Sequence, residues 1–349
     1  MFTQLQQAEL KNLLHCRQGE TKIGEKVSLL PANTTDSESL CSALKQAALR
    51  GAKFAIVGIS EDIGPRANLG RGGANDAFNS AISQFINLQS NRFLSGEQII
   101  ILGQITLEQC LKTVNEASSL TALRQATAQL DEQVIEVISH IFAAGLEPIV
   151  IGGGHNNAYG LLTAAKQVFN QPLAGINLDP HSDFRPREGR HSGNGFSYAA
   201  ANGALSHYHI LGLHELKNSE ATLEQLSLFG ASWHSLQQIW IRRELSLTQA
   251  LEQICPMLNN TGLPVALELD VDAISKMPSS ASTFAGIPLL DACHYIYTVA
   301  KQCQCAYLHI AEAAPQCHEA GVEAGQRDVG QAVSELIYSY LQGRLPSLS

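Results

Sequence analysis

Asp179, His181 and Asp183 occupy alternate positions in Asn177-Leu178-Asp179-Pro180-His181-Ser182-Asp183, directly after the apolar run Leu173 to Leu178. In extended chain the side chains at i, i+2 and i+4 lie on one side. Two carboxylates and an imidazole crowded at the end of a buried strand repel one another and lose hydration, and a divalent cation is the simplest neutralising partner. A related pattern recurs in Val265-Ala266-Leu267-Glu268-Leu269-Asp270-Val271-Asp272, where Asp270 and Asp272 stand two apart after an apolar run. A third apolar run, Ile149-Val150-Ile151, ends in Gly152-Gly153-Gly154-His155. Glycines there allow a positive φ or a close approach of backbone, and they leave His155 just past the strand. No G-x-G-x-x-G occurs at this point, which argues against a dinucleotide loop.

Each motif alone has a bland explanation, a polar loop with an incidental His or a strand-end Asp capping a helix. Together they bring four Asp and two His from three strand ends, more than one tetrahedral zinc requires. Carboxylate-rich sets that include imidazole suit two ions such as Mn2+, bridged by shared carboxylates. In open α/β sheets, ligands bind in the crevice beyond the carboxyl ends of the strands.

The elements that must position these residues read as alternating units. Short apolar runs at 53–59, 99–102, 147–151, 173–178, 207–212, 238–242, 264–269 and 305–310 suggest eight strands. Helix-like segments fall at about 120–144, 157–168, 219–228, 246–258, 288–302 and 328–343. Such alternation indicates βα units and a mainly parallel sheet covered on both faces, a three-layer α/β/α arrangement with roughly eight strands. Residues 1–50 read as a helical lead-in, and 51–349 as a single domain without internal repeat or low-complexity linker.

Bulk properties limit the partners. The 349 residues are 45% apolar and 16% charged, with a formal charge of −9, which argues against nucleic acid or an anionic membrane as partner. Eight scattered Cys, Cys110 among them, show no paired framework, and no basic leader or membrane-length apolar run is evident, so a reducing cytoplasmic location is expected.

The order GGGH, then D-x-H-x-D, then D-x-D resembles the arginase/agmatinase/formimidoylglutamase (ureohydrolase) family over about residues 50–340. The stretches EDIGPRANLGRGGA (61–74), NLQSNRFLSG (87–96), NLDPHSDFRP (177–186) and GRHSGNGFSYA (189–199) are most similar to the formimidoylglutamase-like branch. The resemblance implies an arginase-like catalytic domain, a binuclear Mn2+ centre and a homo-oligomer as an option. It assigns His155, Asp183, Asp179 and Asp270 to one ion, and His181, Asp272, Asp179 and Asp270 to the other. The chain departs from the family in places. Phe196 stands where arginase carries a second-shell His, and Ala273-Ile274-Ser275-Lys276-Met277-Pro278 replaces an Asp-Pro. The late E-x-N-P motif survives only as Glu312-Ala313-Ala314-Pro315, and Asn156 follows the first His.

Two bound ions would lower the pKa of a bridging water toward neutrality, giving a hydroxide able to attack an amidine or guanidine carbon. Asp183 is the expected proton relay to the leaving nitrogen, and Glu312 the expected partner of the amidinium. Arg185, Arg187 and Arg190 follow Asp183, and Arg66 and Arg71 lie in the loop after the first strong strand. Guanidinium forks favour a carboxylate-bearing substrate, with Arg66, Arg190, Ser192 and Asn194 as expected contacts. The leading expectation is hydrolysis of a small anionic amidine, N-formimidoyl-L-glutamate, to glutamate and formamide. A guanidino hydrolase releasing urea and a catalytically silent metal-binding relative are the alternatives. A zinc deacetylase of related fold would leave His155 and Asp272 without a role.

Overall fold

The computed structural model describes residues 2–106 and 118–345; Cys110 falls outside them. Strands form where β-branched and other apolar residues cluster. They are β1 (Phe2–Gln4), β2 (Ser28–Leu29), β3 (Phe54–Ser60), β4 (Ile99–Thr106), β5 (Glu147–Ile151), β6 (Leu173–Leu178), β7 (Leu205–Leu213), β8 (Ser232–Ser235), β9 (Val265–Asp270) and β10 (Cys305–Ala311). They make one sheet in the order β1-β4-β3-β5-β10-β9-β6-β7-β8, with β2 also paired to β4. Every pairing is parallel except β1 with β4.

Helices cover both faces. Those between the strands are α1 (Gln7–Leu13), α2 (Ser37–Leu49), α3 (Ile63–Ala67), α4 (Ala77–Phe85), α5 (Leu120–Ala143) and α6 (Ala158–Phe169). They continue with α7 (Gly195–Ala201), α8 (Glu220–Phe229), α9 (Leu247–Asn259), α10 (Leu289–Gln302) and α11 (Val322–Arg344). Local chemistry sets their starts: Asp36, Ser119, Ser219 and Ser246 each accept a backbone N–H from the first turn. Strand alternation divides the core in two. Phe54, Ile56, Ile149 and Ile151 pack against α4, α9, α10 and α11, while Ala55, Val57 and Val150 pack against α2, α5 and α6.

The expected three-layer α/β/α fold is present, and two local expectations change. Residues 238–242 are not a strand: Gln237–Ile241 is a π-helical turn closed by the Arg242 N–H donating to the Gln237 carbonyl at 2.7 Å. Ile239 is buried there while Ile241 is exposed, and the strand that takes the expected one's place beside β7 is the less apolar Ser232–Ser235. The segment 1–50 is not purely helical either, since β1 and β2 both join the outer side of β4 and raise the sheet to ten strands.

Candidate metal centre

Strands β5, β10, β9 and β6 are consecutive neighbours, so the residues past their carboxyl ends meet over the middle of the sheet. Past β5, Gly152 and Gly153 take φ of 84° and 69°. A Cβ on Gly153 would stand 2.4 Å from Asn157 Nδ2 and 2.8 Å from Glu61 Oε1. Buried Glu61 accepts the Gly154 N–H at 2.6 Å, the Gly64 N–H at 3.0 Å and Asn157 Nδ2–H at 2.8 Å, and this cradle delivers His155. Past β6, Asp179 accepts the His181 N–H at 2.7 Å and Asn177 Nδ2–H at 3.0 Å. Asp183 follows with φ of 45°, a left-handed conformation that turns its carboxylate back over the strand end. At the end of β9, Asp270 Oδ1 accepts the Asp272 N–H at 2.7 Å, and Asp272 Oδ1 accepts the Ala281 N–H at 3.1 Å.

These three strand ends bring all six expected residues together. His155 Nδ1 lies 3.0 Å from Asp183 Oδ2, 3.3 Å from Asp179 Oδ2 and 3.6 Å from Asp270 Oδ2. His181 Nδ1 lies 3.5 Å from Asp179 Oδ1 and 3.8 Å from Asp272 Oδ2. Two donor sets result, His155 with Asp179, Asp183 and Asp270, and His181 with Asp270 and Asp272, the atoms of each within 4.8 Å of one another. Burial and the charge of Asp179 push Asp183 up to about 6, and burial with the charges of Asp272 and Asp179 pushes Asp270 above the carboxylate range. Burial opposes charge on His155, but the carboxylates of Asp179, Asp183, Asp270 and Glu268 outweigh it and raise its pKa.

The donor set fits divalent cations. His155 Nδ1 is buried and makes no hydrogen bond, although three carboxylate oxygens surround it. A bare Nδ1 lone pair facing three anionic oxygens is repulsive; the raised pKa of His155 expresses the same demand for positive charge, which a divalent cation among these atoms meets more fully than one proton. Carboxylate oxygens with one imidazole nitrogen per set match a hard-to-borderline ion of the Mn2+ type.

Around this cluster the walls differ. Phe196 sits edge-on to His155 at 5.2 Å and stacks on Tyr208 at 4.5 Å, so an apolar wall takes the place of a titratable His. Glu312 (φ 67°) accepts the His155 N–H through Oε1 at 2.9 Å, while its buried Oε2 has no partner. Burial and the charge of Asp272 push Glu312 up to about 8. A cavity of about 420 Å³ opens here, lined by His181, Asp183, Asp270, Asp272 and Glu312 together with Asn68, Arg185, Ser192 and Lys217. A larger cavity of about 520 Å³ beside the N-terminal strand, with Phe2, Thr34, Asp36 and His140 in its lining, contains none of the cluster.

Of the expected substrate contacts, only Ser192 lines the central cavity. Arg190 is buried and committed: Nε and Nη2 donate to Asp131 at 2.7 and 3.1 Å, Nη1 to Asn194 Oδ1 at 2.8 Å, and Nη2 to the Asn156 carbonyl at 2.8 Å. Asn194 is spoken for as well, since its amide donates to the Gly189 and Pro186 carbonyls. Arg66 pairs with Asp62 at 3.5 Å one helical turn away, and Pro65 rather than Arg66 reaches the cavity. The structure therefore does not bring these three into the lining of the cavity. The exposed cations that do line the cavity are Arg185, whose Nη1 donates to Asn68 Oδ1 at 2.7 Å, and Lys217 from the loop after β7. Sequence reasoning named the arginine loop but singled out Arg190, which does not line the cavity, and it passed over Lys217, Glu268 and His309.

Known proteins place the chain. A family model described as Arginase family matches residues 52–339. A formimidoylglutamase of Salmonella heidelberg is 26% identical over 279 residues, 78% of this chain and 81% of that protein. The crystal structure of formimidoylglutamase from Bacillus subtilis superposes with a TM-score of 0.74 at 16% identity, covering 94% of this chain and 93% of that one. Trypanosoma cruzi formiminoglutamase, solved with Mn2+, gives 0.67 at 20% identity, covering 89% and 98%. These likenesses carry the arginase fold across both chains, and the match to the family model spans most of this one. The chain therefore belongs to the arginase family, as a formimidoylglutamase-like hydrolase.

Proposed function

We propose that this protein hydrolyses the C–N bond of a linear amidine carrying carboxylates, N-formimidoyl-L-glutamate, to glutamate and formamide, with two Mn2+ held by His155, Asp179, His181, Asp183, Asp270 and Asp272. The observation that carries it is one cavity in which the acidic cluster meets two exposed cations, Arg185 and Lys217. When bound, the ions supply Lewis-acid activation of water at neutral pH. The protein groups do the rest. Glu312 Oε2 is buried and makes no hydrogen bond; burial and Asp272 hold its carboxyl up at about 8, and an arriving amidinium would draw its proton off, forming a charge-assisted pair that fixes the reacting carbon over the cluster. Water oxygen adds to that carbon and the bond to the amino nitrogen breaks; both protons lost by water go to that nitrogen, which leaves as the ammonium of glutamate while the oxygen becomes the formamide carbonyl. Asp183, a member of the His155 set that also lines the cavity, would carry them. Arg185 and Lys217 pair with the substrate carboxylates, and Asn68 holds the Arg185 guanidinium in place.

The test is a hydrolysis panel on manganese-loaded protein, comparing formimidoylglutamate, arginine, agmatine and guanidinobutyrate. Formimidoylglutamate should turn over with the highest kcat/KM. Loss of a charge-assisted hydrogen bond is worth about 1.5–3 kcal/mol, so Arg185→Ala should raise KM for it at least about tenfold with little change in kcat. Faster release of urea from agmatine, a cation, would overturn the substrate assignment.

A further inference from the structure

Behind His155, away from the acidic cluster, lies a second set of buried polar groups that the reaction above does not use. Glu268, on β9 and fully buried, presents Oε2 to His155 Nε2 at 3.3 Å and to His309 Nδ1 at 2.7 Å. Its Oε1 accepts the Tyr307 hydroxyl at 2.6 Å. Strand pairing explains the convergence, because His309 on β10 stands opposite Glu268 in the parallel register. Alternation explains the rest: Glu268 and Asp270 share one face of β9, about 7 Å apart along the strand. The His155 ring fits between them, with Asp270 Oδ2 3.6 Å from Nδ1 and Glu268 Oε2 3.3 Å from Nε2. The Tyr295 hydroxyl pins the strand by donating to the Glu268 carbonyl at 3.0 Å.

We propose that Glu268 is a positioning residue for the metal centre, holding His155 as the Nε2–H tautomer with its Nδ1 lone pair turned to the ion. The proposal rests on the two-ion reading above. With Tyr307 O–H on one oxygen and His309 Nδ1–H on the other, Glu268 is an acceptor on both sides, and the imidazole nitrogen it faces must be a donor. A ring with Nε2–H has its lone pair on Nδ1, where Asp179, Asp183 and Asp270 converge. Carboxylates behind metal-bound imidazoles orient the ring and raise its basicity, and their loss lowers metal affinity about 10- to 100-fold. Among the described residues, only His155 of the two histidines has such a carboxylate behind its ring, so the effect should fall on one ion.

The experiment is equilibrium dialysis of Mn2+ against the wild-type chain, Glu268→Gln, Tyr307→Phe and His155→Ala, with electron paramagnetic resonance of each loaded protein. Wild type should take up two ions with a spin-coupled signal. Glu268→Gln should bind one ion as wild type does and the other about 10- to 100-fold more weakly, with an uncoupled six-line signal at one equivalent, matching His155→Ala. Tyr307→Phe, which keeps the ring and removes one donor, should weaken the same ion by a smaller factor. Folded Glu268→Gln or, should that variant not fold, Tyr307→Phe with both ions at wild-type affinity would overturn the proposal. So would equal weakening of both ions, or a third wild-type equivalent lost in Glu268→Gln, which would make Glu268 a ligand. Wild type that takes up no Mn2+ would instead defeat the two-ion reading itself.

Discussion

The two histidines of the acidic cluster face similar carboxylates in different surroundings. The His155 side chain has no exposure, being closed in by Phe196 and by Glu268 behind it. The His181 side chain keeps 29% exposure and lines the cavity. One half of the site is thus defined by the interior of the protein and the other by whatever enters from solvent. An ion in the inner half would meet the cavity only through Asp183 and Asp270, whereas one in the outer half would also have the partly exposed His181 on its side, so the outer ion is expected to exchange faster.

Chelation puts that contrast to its hardest test and carries the largest effect. Lewis-acid activation contributes several kcal/mol, so full removal of metal should lower turnover by more than about a thousandfold, recovered on adding Mn2+. Release timed against activity should be biphasic, with the ion on the His181 side leaving first. Release of both ions in one phase, unchanged in His181→Ala, would erase the distinction between the halves.

The next effect separates the two arginines. Arg185 meets solvent and the central cavity, while Arg190 is packed between Tyr159 and Tyr198, each 4.8 Å from its guanidinium, and paired with buried Asp131. Burial holds Asp131 up at about 6 even against the attraction of Arg190. Arg190→Ala would strand that carboxylate and should lower stability by about 3 kcal/mol in chemical denaturation. KM of the surviving folded enzyme should change less than in Arg185→Ala. A wild-type denaturation midpoint with a raised KM would restore Arg190 as a substrate contact.

The smallest effect lies away from the centre, among histidines with no carboxylate beside them. Burial, with His234 adding to it, holds His209 down at about 3, and its Nδ1 shares a hydrogen bond with Ser232 Oγ at 2.8 Å. Below about 6.5 the unfolded chain takes up a proton there that the folded chain refuses. Stability is therefore complete above that pH and declines as pH falls toward 3, by at most about 1.4 kcal/mol per pH unit for one such site. His209→Gln should flatten this part of the stability–pH curve, and an unchanged slope would show that the ring is charged in the folded protein.

The residues that sequence reading found and missed divide along a physical line. His155, Asp179, His181, Asp183, Asp270 and Asp272 were legible because they follow three apolar runs, and the carboxyl ends of parallel strands open on one side of the sheet. Glu268 lies two residues before Asp270 and the same alternation puts it on the same face, so that signal was present. Its meaning needed the register that sets His309 opposite, and nothing local encodes which strands become neighbours. Arg185 and Arg190 look alike in one loop. Their separation depends on Asp131, on a helix that begins well upstream. The misassigned strand at 238–242 failed because three consecutive apolar residues, Ile239-Trp240-Ile241, also suit a short helical turn, one of whose isoleucines faces solvent.

The short pairings of β1 and β2 with β4 have a consequence for how molecules meet one another. Residues 2–4 and 28–29 cover backbone amides and carbonyls on the outer flank of β4, a strand rich in isoleucine. A sheet margin of that composition, left bare, is a template for the margin of a second molecule. The lead-in therefore acts as a selvedge: it finishes the fabric of the sheet where it would otherwise fray into self-association.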